Sequence, residues 1–243
     1  MSAYSSTAYA ALQDGIRTKV VDLKTKAGQS SLHKALAKTD VLLTSFRPSA
    51  LVKLGLGWKD LRKQYPQLSW VGIVGAPAAR AEEPGHDLTY LAENGLVTGL
   101  DLPATLYADM GGALMASEAV LQAVLLLRQK GQGHCFEVAL SDAAAHLALP
   151  RQWGATLPGT VLGGTHAGYR VYPCKDGRVA LAALEAHFAK SLCTTAGLTW
   201  TGAAMMRHAD THQAIAAFVR GRTRKTLEQL STAHDIPLYT LSK

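Results

Sequence analysis

The sequence predicts an α/β fold in which a large domain built on a parallel sheet is followed by a small α+β domain. Three observations carry this expectation. Apolar, strand-length runs at residues 40–46, 68–74 and 135–140 alternate with helix-period stretches, the pattern of βαβ units. Composition changes after Pro150, where Gly154, Pro158, Gly159, Gly163, Gly164 and Gly168 make residues 151–168 read as a glycine-rich connection. Beyond it, two short strands at 169–173 and 179–184 flank a Lys175-Asp176-Gly177 turn and precede three helical stretches. The expected organisation is a Rossmann-like large domain over 1–150, a linker over 151–168 and a small domain over 169–243.

Taken in order, Val20-Val21-Asp22-Leu23 reads as a short strand, 30–37 as a helix with serine capping chemistry, and 40–46 as the strand that completes the first βαβ unit. Ligands of such sheets gather at the carboxyl ends of the strands, so Arg47, just after Phe46, stands where a ligand is met. A helical stretch over 50–65, interrupted at Gly55-Leu56-Gly57, leads to the strand 68–74, which ends at Gly75-Ala76-Pro77. A polar loop over 78–84 then delivers a short helix over 87–95, with His86 at the junction. Leu114, Ala116, Ala119, Val120, Ala123, Val124 and Leu127 recur at three- and four-residue steps, predicting a core helix over 111–130 that Gly131 ends and Asp109 precedes. A strand over 135–140 and a helix over 141–149 follow. In the second domain, helices are expected over 187–196, 212–219 and 224–233.

The 243 residues are 48% hydrophobic and 18% charged, which excludes disorder as the main state. Cys135, Cys174 and Cys193 are odd in number, dispersed and free of Cys-x-x-Cys or Cys/His ligand spacing. Neither a disulfide framework nor a metal site is expected, and a reducing cytoplasm is the natural reading. The opening residues lack a basic stretch followed by an apolar one, and the longest apolar run is interrupted at Gln122, so no export signal or membrane span is expected. The net charge of +7 suits a nucleic acid, an anionic surface or a phosphate-bearing small molecule. No reading helix, aromatic platform or knuckle accompanies Arg220, Arg222, Arg224 and Lys225, which argues against nucleic acid. The glycine signatures of dinucleotide and P-loop cradles are absent.

Four residues are candidates for chemistry. Asp109, in Tyr107-Ala108-Asp109-Met110-Gly111-Gly112, can act as a nucleophile or base beside the free N–H groups of a helix start, or simply cap that helix. His86, in Gly85-His86-Asp87, carries an imidazole, the usual group for proton transfer, while eight other histidines show how common the residue is here. Arg47 can pair with phosphate through its planar fork or be an ordinary surface arginine. Glu185 can be an acid or base, or a carboxylate favoured at a helix start.

These segments, in this order, resemble the family III CoA-transferases, which include formyl-CoA and carnitine CoA-transferases and 2-methylacyl-CoA racemases. The resemblance rests on Val21-Asp22-Leu23-Lys24, Thr44-Ser45-Phe46-Arg47-Pro48, Leu54-Gly55-Leu56-Gly57, Gly85-His86-Asp87 and Ala108-Asp109-Met110-Gly111-Gly112. Gly131-Gln132-Gly133, Ser141-Asp142-Ala143-Ala144 and Tyr172-Pro173-Cys174-Lys175-Asp176-Gly177-Arg178 continue it, so that it runs from about Thr18 to Leu238. It implies an enzyme acting on acyl-CoA thioesters, in a homodimer whose protomers interlock like chain links, with coenzyme A as acyl carrier and no metal.

In the transferase branch, Asp109 matches the aspartate that attacks the thioester. In the racemase branch, Asp109 and His86 match the pair that exchanges the α-proton through an enolate, and Glu185 and Tyr169 match pocket-lining positions. Arg47 matches a CoA-contacting arginine. The resemblance also places Gly75, Ala76, Tyr107, Gly111 and Gly112 around coenzyme A and its acyl group. The Gly-His-Asp form leans toward the racemases, whereas Gly75-Ala76-Pro77-Ala78-Ala79 departs from the family's Gly-x-Gly-x-x-Gly-Pro loop and Thr105 stands where racemases tend to have Asn. Full members run to roughly one and a half times this length. The family's first strand and helix have no counterpart before Thr18, nor its returning segment after Leu238. That shortage predicts weak CoA binding, loss of activity, or dependence on another polypeptide, as in a non-catalytic relative that pairs with a homologue.

Overall fold

Three of the apolar runs pair in parallel, in the order β1 (Val41–Thr44), β2 (Ser69–Val74), β3 (Cys135–Ala139), with Leu43 opposite Val71 and Val71 opposite Phe136. These strands belong to a computed structural model that describes residues 6–242. The chain divides into two compact units, residues 1–147 and 148–243.

The first unit contains α1 (Ser6–Leu12), α2 (Lys26–Leu36), α3 (Pro48–Lys53), α4 (Trp58–Gln64), α5 (Asp87–Glu93), α6 (Tyr107–Lys130) and α7 (Leu140–Leu147), of which α6 lies against all three strands. Successive β2 side chains point to opposite faces. Trp70 joins Leu36, Leu51 and Leu61 on one side, and Val71 joins Ala116, Ala119 and Val138 on the other. A parallel sheet covered on both faces is what near-continuous apolar strands produce.

Residues 20–23 are not a strand. Val20 is fully exposed, and Asp22 makes a turn instead. The Asp22 carboxylate accepts from the Lys24 N–H at 2.9 Å and its carbonyl from the Thr25 hydroxyl at 2.9 Å, after which the Thr25 hydroxyl caps α2 by accepting from Gly28 N–H at 3.0 Å. Local side-chain turn chemistry wins where no neighbouring strand offers a ladder. The same cap starts α2 at Lys26, four residues before the expected helix.

Helix α6 likewise begins four residues early, at Tyr107, so Asp109 is its third residue rather than a residue before it. It stops where Gly131 takes the left-handed conformation at φ 68°. Its small residues Ala108, Gly112, Ala116, Ala119 and Ala123 are the buried ones. That seam brings the helix close to its neighbours; by length and composition alone α6 is also long and apolar enough to cross a membrane, and only 22% of that apolar window is buried. Leu114, expected in the core, is instead 73% exposed and lies in an outward row with Met110, Leu121 and Leu125.

The second unit starts with α8 (Leu149–Gln152) and contains an antiparallel sheet of β4 (Tyr169–Cys174), β5 (Gly177–Ala182) and β6 (Leu238–Leu241), with α9 (Ala186–Thr195), α10 (Ala209–Arg220) and α11 (Arg224–His234). Strand β6 was not expected from the sequence; it pairs with β5, Tyr239 opposite Ala180. Val179, Leu181, Leu192, Met206, Ile215, Val219 and Leu227 fill a single core. Within 151–168, Gly154, Gly159 and Gly164 have φ of 79°, 90° and 105°, values that only glycine adopts without strain.

Candidate active site

Two helices at the carboxyl end of the parallel sheet lack a capping side chain of their own. The N-cap positions of α3 and α6 are Arg47 and Leu106, and neither makes a side-chain cap bond. Carboxylates from one nearby segment cap both. Glu82 accepts from the Ser49 N–H at 2.7 Å and from the Ser49 hydroxyl at 2.9 Å, and these bonds hold its carboxyl below the usual range. Asp87, which is 5% exposed, accepts from the Asp109 N–H at 3.0 Å. An acceptor at a helix start satisfies an orphan N–H and meets the positive end of the helix dipole.

Asp109 is therefore not the cap of α6, one of its two sequence readings; its side chain is left for other work. Burial, then the nearby Asp87 carboxylate, push the Asp109 carboxyl above its usual range, while His86 pulls it the other way. His86 is exposed at the N-cap position of α5. Its backbone is fixed by Thr89, whose hydroxyl accepts from His86 N–H at 3.0 Å and donates to its carbonyl at 2.7 Å. The imidazole, an aspartate and a second, buried carboxylate thus share one neighbourhood.

Beside them, a cleft of about 190 Å³ opens at the ends of the strands, lined by Ser45, Arg47, Gly75, Glu83, Gly85 and Tyr90 among others. This is the position that strand topology assigns to a ligand. Arg47 is exposed there. Tyr90 was not among the sequence candidates. Burial, followed by the Asp109 charge, raises its phenol pKa, and Arg47 lowers it, so both charges reach this ring.

The glycines expected near coenzyme A have packing roles in this structure. A Cβ on Gly75 would overlap the Tyr90 hydroxyl, and one on Gly85 would come 2.6 Å from a Tyr90 ring carbon. A Cβ on Gly111 would meet Ala143 and Leu147 at 3.4 Å, and one on Gly112 would overlap Leu140 of α7. Ala76 is buried, and Tyr107 is half-exposed at the first position of α6. Glu185 and Tyr169 belong to the second unit, Glu185 exposed at the N-cap position of α9 and Tyr169 opening β4 opposite Ala182. Among the described residues, no group of three or more His, Cys, Asp or Glu gathers as a metal site would require.

A parallel sheet whose carboxyl ends collect a half-buried carboxylate, an imidazole and an arginine defines an α/β protein with a site for nucleophilic or acid–base chemistry. The family can be stated outright: the model of CoA-transferase family III matches residues 1–243, and the chain belongs to that family. Over 202 residues it is 28% identical to the alpha-methylacyl-CoA racemase of Homo sapiens, covering 76% of this chain and 53% of that protein. Over 143 residues it is 32% identical to the probable fatty acyl-CoA transferase Rv3272 of Mycobacterium tuberculosis, covering 55% of this chain and 36% of that one. The crystal structure of Rv3272 superposes with a TM-score of 0.79 at 22% identity, over 93% of this chain and 69% of that one. A CAIB/BAIF family protein from Brucella suis superposes with a TM-score of 0.75 at 21% identity, over 93% and 66%. The chain spans about half the length, or less, of these curated relatives.

Proposed function

We propose that this chain is a CoA-transferase-type enzyme that acts on acyl-CoA thioesters through Asp109. The observation that carries the reading is the placement of Asp109: a half-buried carboxylate in the first turn of α6, its backbone anchored by Asp87, beside a cleft that holds Arg47. A carboxylate whose pKa is raised is a more basic, and so a better, nucleophile than an ordinary one. One Asp109 oxygen bonds to the thioester carbonyl carbon, the C–S bond breaks, and CoA leaves as a thiolate from a mixed anhydride. The thiolate then attacks the Asp109 carbonyl carbon, and the acyl group departs as a carboxylate, leaving an aspartyl-CoA thioester for the acceptor acid. Arg47 pairs with a CoA phosphate, to which the net charge of +7 is suited.

Incubation with acyl-CoA and hydroxylamine is expected to convert Asp109 of the native protein to its hydroxamate, read by mass spectrometry and distinct from the acyl hydroxamate that free thioester gives, and to leave Asp109→Asn unmodified. A native protein that binds CoA yet traps nothing would sink the reading. The raised Asp109 pKa puts the acid limb of the rate profile above the ordinary carboxylate range. Asp87→Asn, which keeps the capping oxygen and removes the charge, is expected to move that limb to lower pH.

The proximity of His86 to Asp109 supports a second reading, 2-methylacyl-CoA racemisation, in which one group removes the α-proton and the other returns it to the opposite face. Deuterium uptake at the α-carbon of a 2-methylacyl-CoA in D2O, lost in His86→Ala, is its signature. A non-catalytic role, binding CoA weakly or pairing with a homologue, predicts neither product.

The outward apolar row of Met110, Leu114, Leu121 and Leu125 supports self-association as the interlocked homodimer. Replacing Leu114 and Leu121 by Lys is expected to shift the sedimenting species to monomer, whereas an unchanged species would remove that support.

A further inference from the structure

We infer that the Tyr90 hydroxyl is a hydrogen-bond donor to the bound acyl-CoA, holding the thioester carbonyl oxygen as Asp109 attacks. The inference rests on the Asp109 reading and adds a residue to it. Its first support is steric. Tyr90 is 6% exposed, and its ring sits between glycines from two different loops, Gly75 at the end of β2 and Gly85 before α5. A Cβ on Gly85 would come 2.6 Å from both a ring carbon and the hydroxyl oxygen, and one on Gly75 would overlap the hydroxyl oxygen before any ring atom, so both glycines clear the hydroxyl as well as the ring. Phenylalanine would need less of that clearance.

The second support is the state of the hydroxyl. A buried tyrosine O–H usually finds a partner. Tyr172 donates to the Ala167 carbonyl at 2.8 Å, and the Tyr65 hydroxyl meets His33 Nδ1 at 2.9 Å. Among the described residues the Tyr90 hydroxyl has no such bond and is not one of the buried orphaned atoms either; it opens to the cleft at the strand ends, which Tyr90 lines with Arg47. An uncommitted donor held rigidly in a cleft is preorganised for an acceptor that arrives from outside.

The third support is position. Arg47 and Asp109 both act on the phenol, which therefore lies in the neighbourhood of the proposed CoA contact and of the proposed nucleophile. An acyl-CoA engaging both residues passes it. In the attack step, negative charge develops on the thioester oxygen as the Asp109 O–C bond forms. Tyr90 stabilises that charge by a hydrogen bond alone and gives up no proton, so the step balances as written above.

Tyr90→Phe tests this with a change of one oxygen atom. The expected result is a fall in kcat of about 100-fold, the loss typical of one oxyanion donor. KM for acyl-CoA, the affinity for free CoA and Tm should stay near native values, a split that a purely structural tyrosine would not produce. Gly75→Ala supplies a second variant. Its methyl displaces the hydroxyl, so it should lose activity in the native background and little more in the Tyr90→Phe background. An unchanged kcat in Tyr90→Phe, or losses that simply add in the double variant, would overturn the role of Tyr90 while native hydroxamate trapping leaves the Asp109 reading standing. A native protein that traps nothing overturns both.

Discussion

Among the described residues the second unit gathers its buried apolar residues in one contiguous core, with Trp153, Val171 and Tyr239 more than half exposed, whereas the first divides its buried ones among four patches and leaves a larger set, including Leu43, Phe46, Val52, Leu114, Leu121 and Leu125, more than half exposed. Both units use the same kinds of side chain, so composition is not the cause. The second unit closes a three-stranded sheet with α9, α10 and α11. The first places its helices around a three-stranded parallel sheet whose carboxyl end carries the site, and its longest helix turns small residues inward and large ones outward. Stability and presentation of surface are thus assigned to different parts of the chain.

Substitutions can break that contrast. The largest effect is expected from Ile215→Ala, which empties a fully buried position in the single core and should cost about 2–5 kcal/mol by urea denaturation. Val52→Ala, at an exposed position of α3 in the first unit, should stay within about 0.5 kcal/mol in the same assay. Asp87→Ala removes the cap of α6 and should cost about 1 kcal/mol, read as a lower Tm. Ala78 sits at φ 55°, a conformation that strains any residue with a Cβ, and Ala78→Gly should gain about 1 kcal/mol in the same thermal assay.

The smallest effects separate the units by pH. In the second unit, burial, His212 and Arg207 lower the pKa of His166. The unfolded chain therefore binds a proton that the folded one resists, and stability is lost as pH falls from about 6.5 toward the depressed folded value. His166→Gln should flatten that slope in urea titrations. In the first unit, Asp109 has a raised folded pKa, so stability is lost as pH rises from about 3.9 through that value and stays lost above it. Asp109→Asn should accordingly raise Tm at neutral pH and lose this advantage in acid.

Elements with their own local signals were legible in the sequence. Strands β2 and β3 follow from apolar runs, β4 and β5 from the turn between them, and the end of α6 from Gly131. Elements decided at long range were not. The start of α6 depends on a carboxylate 22 positions earlier, and β6 is a four-residue strand that becomes one by pairing with β5. Val20-Val21 has strand chemistry without a partner, and Asp22 supplies a turn in its place.

The site was legible to the same degree. Asp109, His86 and Arg47 stand out by residue type and position, and the structure gathers them at one end of the sheet. Asp87 and Tyr90 look ordinary in a short helix, although the glycines at 75 and 85 were the available sign of a bulky neighbour. Periodicity cannot tell a glycine that admits a ligand from one that admits a tyrosine.

Glu82 and Asp87 stand five positions apart on one stretch of chain, and each closes the start of a different helix. The stretch therefore acts as a latch with two bolts, and drawing it back frees the ends of α3 and α6 together. Arg80, two residues before it, is held by Glu83 at 2.9 Å and Glu93 at 2.7 Å and so ties both flanks of the latch together; releasing that clamp would loosen the loop that carries Arg47 and the turn that carries Asp109 in one event.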